Sequence, residues 1–265
     1  MNMAFQDIEK AIDDSVGTVT LNRPDRGNAL RPSMMREICT ALDELERDDQ
    51  VKAIILRGAG KHFSTGADFA FLDELTRTRP VDVQQQIYEH FQGAARRLYH
   101  CRKPTIALIS GAAITVGCEL ALACDFRLVS DTASFQESWI KLGLIPPLGG
   151  LFLLPRLIGL GRAMQMVLRA EAVTAQSAVA MGLAQELVPA DRLERRGREL
   201  ALELAQRPPL AYTTAKLALH RGLETTMEAE WSANLSSQAM LLSSEDFREG
   251  LAALKEKRPP QFRGR

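Results

Sequence analysis

The first two-thirds of the chain alternates between short apolar runs and longer stretches with helical spacing. Val16–Leu21 alternates as a strand and leads into a turn that contains proline and glycine. Between Met35 and Leu45 the apolar residues recur at the spacing of one helix face. The same patterns predict strands at Val51–Leu56, Pro104–Ile109 and Asp125–Val129, and helices from about Asp82 to His100 and around Gly117–Ala123. This alternation is typical of an α/β layered fold.

Helical patterns dominate the last third of the chain. Thr174 is expected to cap a helix over Ala175–Met181, and Gln185–Val188 to form a last short strand. The dipeptide Pro208-Pro209 indicates a hinge, and the stretch Leu210–Lys257 after it is predicted to be wholly helical.

We therefore predict two parts, a core over residues 1–205 and a C-terminal helical segment over residues 206–265. The segment carries more large apolar side chains, among them Trp231 and Phe247, than a small appendage can bury. Its helices are therefore expected to form an oligomer contact. In the alternative arrangement they fold back over the chain's own core.

The composition is that of a folded protein. Of the 265 residues 46% are hydrophobic and 25% are charged, which are globular averages. The 33 basic and 33 acidic residues cancel, so no net charge attracts a phosphate backbone and nucleic acid is not an expected partner. The longest uncharged stretches, Pro104–Cys118 and Leu142–Pro155, are too short to span a membrane, so no membrane partner is expected.

Cysteine usage and the common short motifs narrow the chemistry further. The four cysteines lack Cys-x-x-Cys spacing and are typical of reduced thiols in a cytoplasmic protein, and Met1–Lys10 has no apolar run of a secretory signal. Gly58-Ala59-Gly60 has Phe63 where a dinucleotide loop has its third glycine. No ligand spacing supports a metal site, and none is expected.

One segment of chemical interest is His62–Asp68, a glycine-containing loop that enters a predicted helix. Backbone N–H groups at such a position are free to bind an anion. In the alternative interpretation it is an ordinary glycine turn, in which Asp68 complements the start of the helix.

The second segment is Ile114–Ala123, in which Glu119 is the only charged residue. A carboxylate in so apolar a run lies either at a boundary or in a functional site, because glutamate is rarely buried without a partner. We interpret Glu119 as a functional residue.

Taken in order, the motifs of this sequence resemble those of the crotonase (enoyl-CoA hydratase/isomerase) superfamily over nearly the whole chain. The matching pieces are Asn22-Arg23-Pro24 with Asn28-Ala29-Leu30, the loop Phe63–Asp68, Gly117–Ala121 leading to Cys124-Asp125, Leu142–Pro146, Gly149-Gly150, Leu154–Gly159, and Ser244–Gly250 through Glu256–Arg258. Each piece alone is weak, but seven in order are specific.

The resemblance implies a spiral of ββα turns with a C-terminal helical segment, assembled as trimers or dimers of trimers. It also implies acyl-CoA thioester substrates and no metal or redox cofactor, coenzyme A being part of the substrate. Two backbone N–H groups bind the thioester oxygen in this family, and they map to Ala67 and Val116. Glu119 follows one helical turn after Val116, so the carboxylate and that donor are expected to converge.

The resemblance also implies where the coenzyme A moiety binds. The loop Asp25–Gly27, with Arg26, and the segment Gly66–Phe69, with Gly66, Asp68 and Phe69, are expected to contact it. Gly117 and Trp139 complete the set of residues expected to contact substrate.

Two positions depart from the family pattern. Val116 and a single Gly117 stand where a triple-glycine run is usual, and valine is a stiff side chain that would narrow an acyl pocket. Hydratases carry a second glutamate four residues after a phenylalanine, and from Phe135 that position is Trp139. An indole only donates hydrogen bonds and cannot act as a general base.

Glu137 is the candidate for the missing acid. If the chain is extended there, Glu137 and Trp139 share a face; if a helix has begun, they point apart and Glu137 is a solvated or capping acid. For Trp139 the alternatives are core packing and a wall of the acyl pocket.

The sequence thus predicts an acyl-CoA-processing lyase that stabilises a thioester enolate, with Glu119 and Glu137 as its acid–base groups. Enoyl-CoA hydratase of fatty acid metabolism is the leading function. The alternatives are a single-acid enoyl-CoA isomerase, a thioester hydrolase, and a catalytically silent oligomer that only binds acyl-CoA or RNA.

Overall fold

The computed structural model of the protein describes residues 5–265. Residues 1–4 of the segment Met1–Lys10, where no secretory signal is predicted, lie outside the described residues. The strands are β1 (Ile8–Asp13), β2 (Val16–Leu21), β3 (Ala53–Gly58), β4 (Thr105–Ile109), β5 (Ala112–Ile114), β6 (Phe126–Ser130), β7 (Ser134–Gln136), β8 (Val173–Thr174) and β9 (Glu186–Val188). All the predicted strands are present, displaced at their ends by up to two residues.

Helices alternate with these strands, and they fill the C-terminal part. They are α1 (Pro32–Arg47), α2 (Phe69–Leu75), α3 (Pro80–Gln86), α4 (Gln92–His100), α5 (Val116–Ala123), α6 (Gly150–Ile158), α7 (Leu160–Leu168), α8 (Ala175–Ala180), α9 (Leu193–Ala205), α10 (Pro209–Gly222), α11 (Met227–Ser243) and α12 (Glu245–Glu256). A π-helical segment, Ile87–Phe91, joins α3 to α4 where the sequence predicts one helix. Thr174 caps α8 as predicted, since its side chain accepts from the Ser177 N–H.

The strands form two sheets. The larger has the order β1-β2-β3-β4-β6-β9 and is parallel except for the antiparallel β1–β2 pair. The smaller has the order β5-β7-β8. From β4 onward the chain passes back and forth between the two sheets, so the predicted α/β layering is confirmed as a spiral.

Strand β1 was not predicted because it is an edge strand. Only Ile8 of its six residues is buried, and the other positions include charged side chains that hide the alternation. Elsewhere the core is regular: helix α1 buries Met35, Ile38 and Leu42 as its periodicity predicts.

The C-terminal segment, predicted to be wholly helical over Leu210–Lys257, consists of the three helices α10, α11 and α12 with short breaks between them. Thr226 caps α11 and Ser244 caps α12, because each side chain accepts a hydrogen bond from a backbone N–H of the following turn. The periodicity of the apolar residues does not reveal these breaks, because the residues between the helices include neither proline nor glycine. Gly222, the last residue of α10, is the nearest glycine.

Helix α10 is joined to the core by a buried ion pair. The Lys216 ammonium lies 2.8 Å from Asp125 Oδ1 and is 6% exposed. The Asp125 carboxylate also accepts from the Thr105 N–H at 2.9 Å and the Tyr212 hydroxyl at 3.1 Å. Both charges and the surrounding donors are therefore paired.

Further along, α11 has no buried residue, and Trp231 and Leu235 on it are 62% and 76% exposed. All four cysteines are free and buried. Within residues 5–265, no helix combines the length and apolar character that crossing a bilayer requires.

Candidate active site

The site forms where two glycine-containing loops pair. The Ser64 N–H donates to Ala112 O at 2.9 Å, and the Ile114 N–H donates back to Ser64 O at 3.0 Å. Gly66 and Gly117 lie inside this contact: a Cβ on Gly66 would come within 2.1 Å of Thr115 Oγ1, and one on Gly117 within 2.7 Å of Ser64 Cβ. These glycines permit the close approach of the loops, and neither lines a cavity described below.

Backbone donors from both loops are left free for a ligand. Among the described residues, no acceptor meets the N–H of Ala67 or of Val116. Val116 begins α5, and the preceding Thr115 has φ +48° and ψ −115°, a conformation that a β-branched residue rarely adopts. The first N–H of the helix follows this turn, and both Ala67 and Val116 line the same cavity. The arrangement suits an oxygen that gains negative charge.

Glu119 lies on the next turn of α5 and is 1% exposed. Its Oε2 accepts hydrogen bonds from the Leu148 N–H at 2.7 Å and the Gly150 N–H at 2.9 Å, whereas Oε1 has no partner among the described residues. Burial raises the pKa of Glu119 to about 7, against the opposing effect of these backbone donors. One oxygen is thus anchored and the other is available to exchange a proton near neutral pH.

Glu137 faces Glu119 from the segment after β7. It is 0% exposed, and neither of its oxygens has a hydrogen-bond partner among the described residues. Burial, and then the charge of Glu119, raise the pKa of Glu137 well above its ordinary value. The alternative in which Glu137 is a solvated or capping acid is therefore wrong.

Trp139 begins a 3-10 helix, Trp139–Leu142, and is 5% exposed. Its indole N–H faces Glu119 and lowers the pKa of that carboxyl, although the contact does not meet the geometry of a regular hydrogen bond. Its ring lines the cavity that also contains Ala67 and Val116 and at the same time packs in the main hydrophobic core, so the two interpretations of Trp139 both hold. Strand β7 ends at Gln136, and the change of backbone there lets Glu137 and Trp139 both approach Glu119.

Two cavities meet at this site. One, of about 770 Å³, is lined mainly by apolar side chains from α2, α3, the π-helical segment and residues 139–147; we call it the apolar cavity. The other, of about 670 Å³, is lined by basic residues of the first turn and start of α1 and by the start of α2; we call it the basic cavity. Ala67, Phe69 and Phe71 line both, so the cavities are continuous past the free Ala67 N–H.

The basic cavity contains Arg26 as predicted, together with two arginines that sequence reasoning missed, Arg23 and Arg31. Phe69 is 80% exposed at the junction of the two cavities. Asp68 has two structural partners, since its side chain caps α2 through the Ala70 N–H at 3.0 Å and pairs with Arg23 at 2.9 Å. No sequence signal marks Arg31, because its place depends on how the start of α1 packs beside the first turn.

The other residues missed from the sequence are the two donors to Glu119. Gly150 belongs to the motif Gly149-Gly150 and Leu148 directly precedes that motif, but their role as carboxylate donors requires the start of α6 to lie against α5. Among residues 5–265, no cluster of three or more His, Cys, Asp or Glu side chains is arranged as a metal site.

Comparison with known proteins gives consistent results. The family model "Enoyl-CoA hydratase/isomerase" matches residues 11–265. A probable enoyl-CoA hydratase of Rhodobacter capsulatus is 35% identical over 99% of this chain and 100% of its own length. A 1,2-epoxyphenylacetyl-CoA isomerase of Escherichia coli is 32% identical over 96% of this chain and 97% of its own. The crystal structure of an enoyl-CoA hydratase from Bacillus anthracis superposes with a TM-score of 0.91 at 31% identity, covering 98% of this chain and 100% of that one.

Proposed function

The chain belongs to the enoyl-CoA hydratase/isomerase family, and we propose that it adds water to the double bond of a 2-enoyl-CoA thioester. The observation that carries the proposal is the buried pair of Glu119 and Glu137 beside the free N–H groups of Ala67 and Val116. This combination provides two proton-transferring groups and a site for an enolate oxygen, which are what hydration of an enoyl thioester requires.

The N–H groups of Ala67 and Val116 would hold the thioester oxygen. When water attacks C3, the electrons of the double bond move toward the carbonyl, and negative charge develops on that oxygen. Each preorganised donor of this kind lowers the barrier by about 3 kcal/mol. Both donors are fixed by the backbone, so the side chain of Val116 does not affect this function.

The surroundings of the two carboxyl groups give each of them a different role in proton transfer. Glu119 has backbone donors that favour its charged form, so it serves as the base that takes a proton from water. Glu137 has none, so it holds the proton and delivers it to C2 as the enolate collapses. After the cycle a proton passes from Glu119 to Glu137, and the net change is the addition of one water molecule.

The coenzyme A moiety would occupy the basic cavity, which Arg23, Arg26 and Arg31 line. Arg23 is paired with Asp68 and Arg31 with Asp7, whereas Arg26 has no ion pair among the described residues and offers its charge to a phosphate group. The proposed reaction needs neither a metal nor a redox cofactor, because all its steps are proton transfers and attack of water.

A single-acid isomerisation is the second candidate, and the position of Trp139 favours it. Of the three side chains Glu119, Glu137 and Trp139, only Trp139 lines the apolar cavity, where it could keep water from the acyl group. In that case Glu119 alone would move a proton between C2 and C4 of the acyl chain.

Product analysis distinguishes the two candidates. The protein is incubated with 2-enoyl-CoA, 3-enoyl-CoA and saturated acyl-CoA, and the products are separated by mass. Hydration raises the mass by that of one water molecule, whereas isomerisation moves a double bond at constant mass, and hydrolysis of the saturated thioester releases free coenzyme A. A hydrated product from 2-enoyl-CoA, lost in Glu137→Gln, supports the proposal; an isomer as the only product contradicts it.

We also propose that the protein works in the cytoplasm as a trimer or dimer of trimers. The buried free cysteines suit a reducing compartment. The apolar side chains exposed on α11 and its neighbours, such as Trp231 and Leu235, need a partner surface. Light scattering at micromolar concentration tests the assembly, and the mass of one chain would contradict it.

A further inference from the structure

The apolar cavity is much larger than a short acyl group. At about 30 Å³ per heavy atom, the share of a water molecule in the liquid, the five heavy atoms of a crotonyl group fill roughly 150 Å³. The cavity measures about 770 Å³, so a crotonyl group would leave about four-fifths of it empty. Even a ten-carbon acyl group, at roughly 330 Å³, fits with space to spare.

The walls of this cavity suit a tail without polar groups. Asp73 on α2 and Thr76 directly after it are its lining residues with polar side chains at the rim, and both are exposed. The remaining wall is aliphatic and aromatic, and it includes the stacked rings of Phe71 and Phe91, whose centroids are 5.3 Å apart. Apart from the Trp139 indole N–H and the free N–H groups of Ala67 and Val116, which belong to the reacting end, no buried polar group lines the cavity, so burying a hydroxyl or carboxylate along the remaining wall would be unfavourable.

Exposed apolar side chains concentrate along the same wall. Leu142, Leu144 and Ile145 are 55%, 46% and 64% exposed, and all three line the cavity. An acyl group of four carbons has too little surface to cover them, whereas a longer tail would remove them from water.

We propose that the site selects 2-enoyl-CoA thioesters with an apolar acyl tail of at least eight carbons, and that the wall formed by Val83 and Ile87 sets this preference. The proposal rests on the proposed function for the reacting end of the substrate. It concerns the other end of the substrate, where Val83 on α3 and Ile87 on the π-helical segment line the apolar cavity and not the basic cavity.

The expected selectivity follows from burial of methylene groups. A fully buried CH₂ favours binding by about 0.8 kcal/mol, which is roughly fourfold in affinity. The cavity is open on one side, so each methylene is only partly buried. We expect at least a tenfold higher kcat/KM for trans-2-decenoyl-CoA than for crotonyl-CoA.

A substrate series tests this preference. The kcat/KM values for enoyl-CoA of four, six, eight and ten carbons are measured, with cinnamoyl-CoA as an aryl substrate. A rise with chain length supports an alkyl tail, and a high value for cinnamoyl-CoA supports an aryl tail of the same apolar class. Equal values, or a maximum at four carbons, overturn the proposal.

A pair of variants on one helix tests the wall. Val83→Trp fills the cavity and should lower the decenoyl-to-crotonyl ratio of kcat/KM at least tenfold. Val81→Trp is the matched control, because Val81 is 61% exposed on the same helix and does not line the cavity, so it should leave the ratio unchanged. An unchanged ratio in Val83→Trp overturns the assignment of this wall.

Binding of saturated thioesters separates this proposal from the proposed function. Calorimetry with butanoyl-CoA and decanoyl-CoA needs no turnover. Tighter binding of decanoyl-CoA without hydration of any enoyl-CoA means that the reaction is wrong and the tail preference is right. Hydration of crotonyl-CoA with no gain in affinity from butanoyl to decanoyl means the reverse.

Discussion

The molecule contains two buried polar clusters that differ in how their charges are paired. In the first, the Lys216 ammonium and the Asp125 carboxylate lie 2.8 Å apart, with further donors on the carboxylate. In the second, Glu119 and Glu137 are like charges, and three of their four oxygens have no partner among the described residues. The first cluster joins the C-terminal helices to the core.

Such a difference separates a structural cluster from a functional one. A protein gains nothing in stability from two carboxyl groups buried together, because burial penalises their charged forms and their charges repel. The same burial raises the pKa values of both carboxyl groups, that of Glu137 with the repulsion of Glu119 as well, and this suits them to carry protons in a reaction. Unpaired polar groups are thus the more informative sign of function, and paired ones indicate stability.

The largest expected effect is on turnover. Glu119→Gln keeps the shape of the side chain and removes its proton exchange, so kcat should fall by about 10²–10⁴. The Kd of a saturated acyl-CoA, measured by calorimetry, should change little. Wild-type turnover in this variant would show that Glu119 does not take part in the mechanism and that the carboxylate pair is not the functional cluster.

The next effect is on stability, at the other cluster. Lys216→Met leaves the Asp125 carboxylate buried without its cation and should lower the free energy of unfolding by about 3–5 kcal/mol, measured by urea denaturation. The double variant Lys216→Met/Asp125→Asn is the control, and it should recover most of the loss because no buried charge remains unpaired. A loss below about 1 kcal/mol in the single variant would show that the pair is not structural.

The carboxylate pair should make stability depend on pH in the opposite sense to most acidic groups. The pKa of Glu119 is about 7 in the fold, above its ordinary 4.5, so the folded state binds the proton more tightly. The contribution of this proton to the free energy of unfolding is fully present below about pH 4.5. It is lost as the pH rises through 7, and the loss is about 3 kcal/mol.

Urea denaturation at pH 5 and pH 8 measures this loss. In the double variant Glu119→Gln/Glu137→Gln the two ionisations are absent, so the decrease between these pH values should disappear. The same pH dependence in the wild type and the double variant would contradict the assignment of the raised pKa values to this pair.

The smallest effect concerns Trp139. Trp139→Phe keeps an aromatic wall but removes the N–H that faces Glu119, so the pKa of Glu119 should rise and the acid limb of the pH profile of kcat/KM should move to higher pH. Trp231→Phe, on an exposed surface, is the control. A limb that stays in place, or moves to lower pH, would show that the indole does not act on the carboxylate.

Sequence reasoning reached Glu119 because a single carboxylate in an apolar run is visible without a fold. It could not decide the place of Glu137, because the answer depends on β7 ending at Gln136, and strand ends are set by pairing rather than by local preference. Helix periodicity predicted α1, whereas β1 has too few buried positions to show an alternation. Arg31 and the donors to Glu119 come from distant elements that meet only after folding.

The burial of all four thiols has a practical consequence for labelling. Burial raises the pKa of each, to about 11 for Cys101 and about 12 for Cys124, so at neutral pH almost none is present as the thiolate that reacts with maleimides or iodoacetamide. A cysteine introduced at an exposed position, such as Val81, would react selectively. Fluorophores or spin labels could then be attached beside the apolar cavity without first removing the natural cysteines.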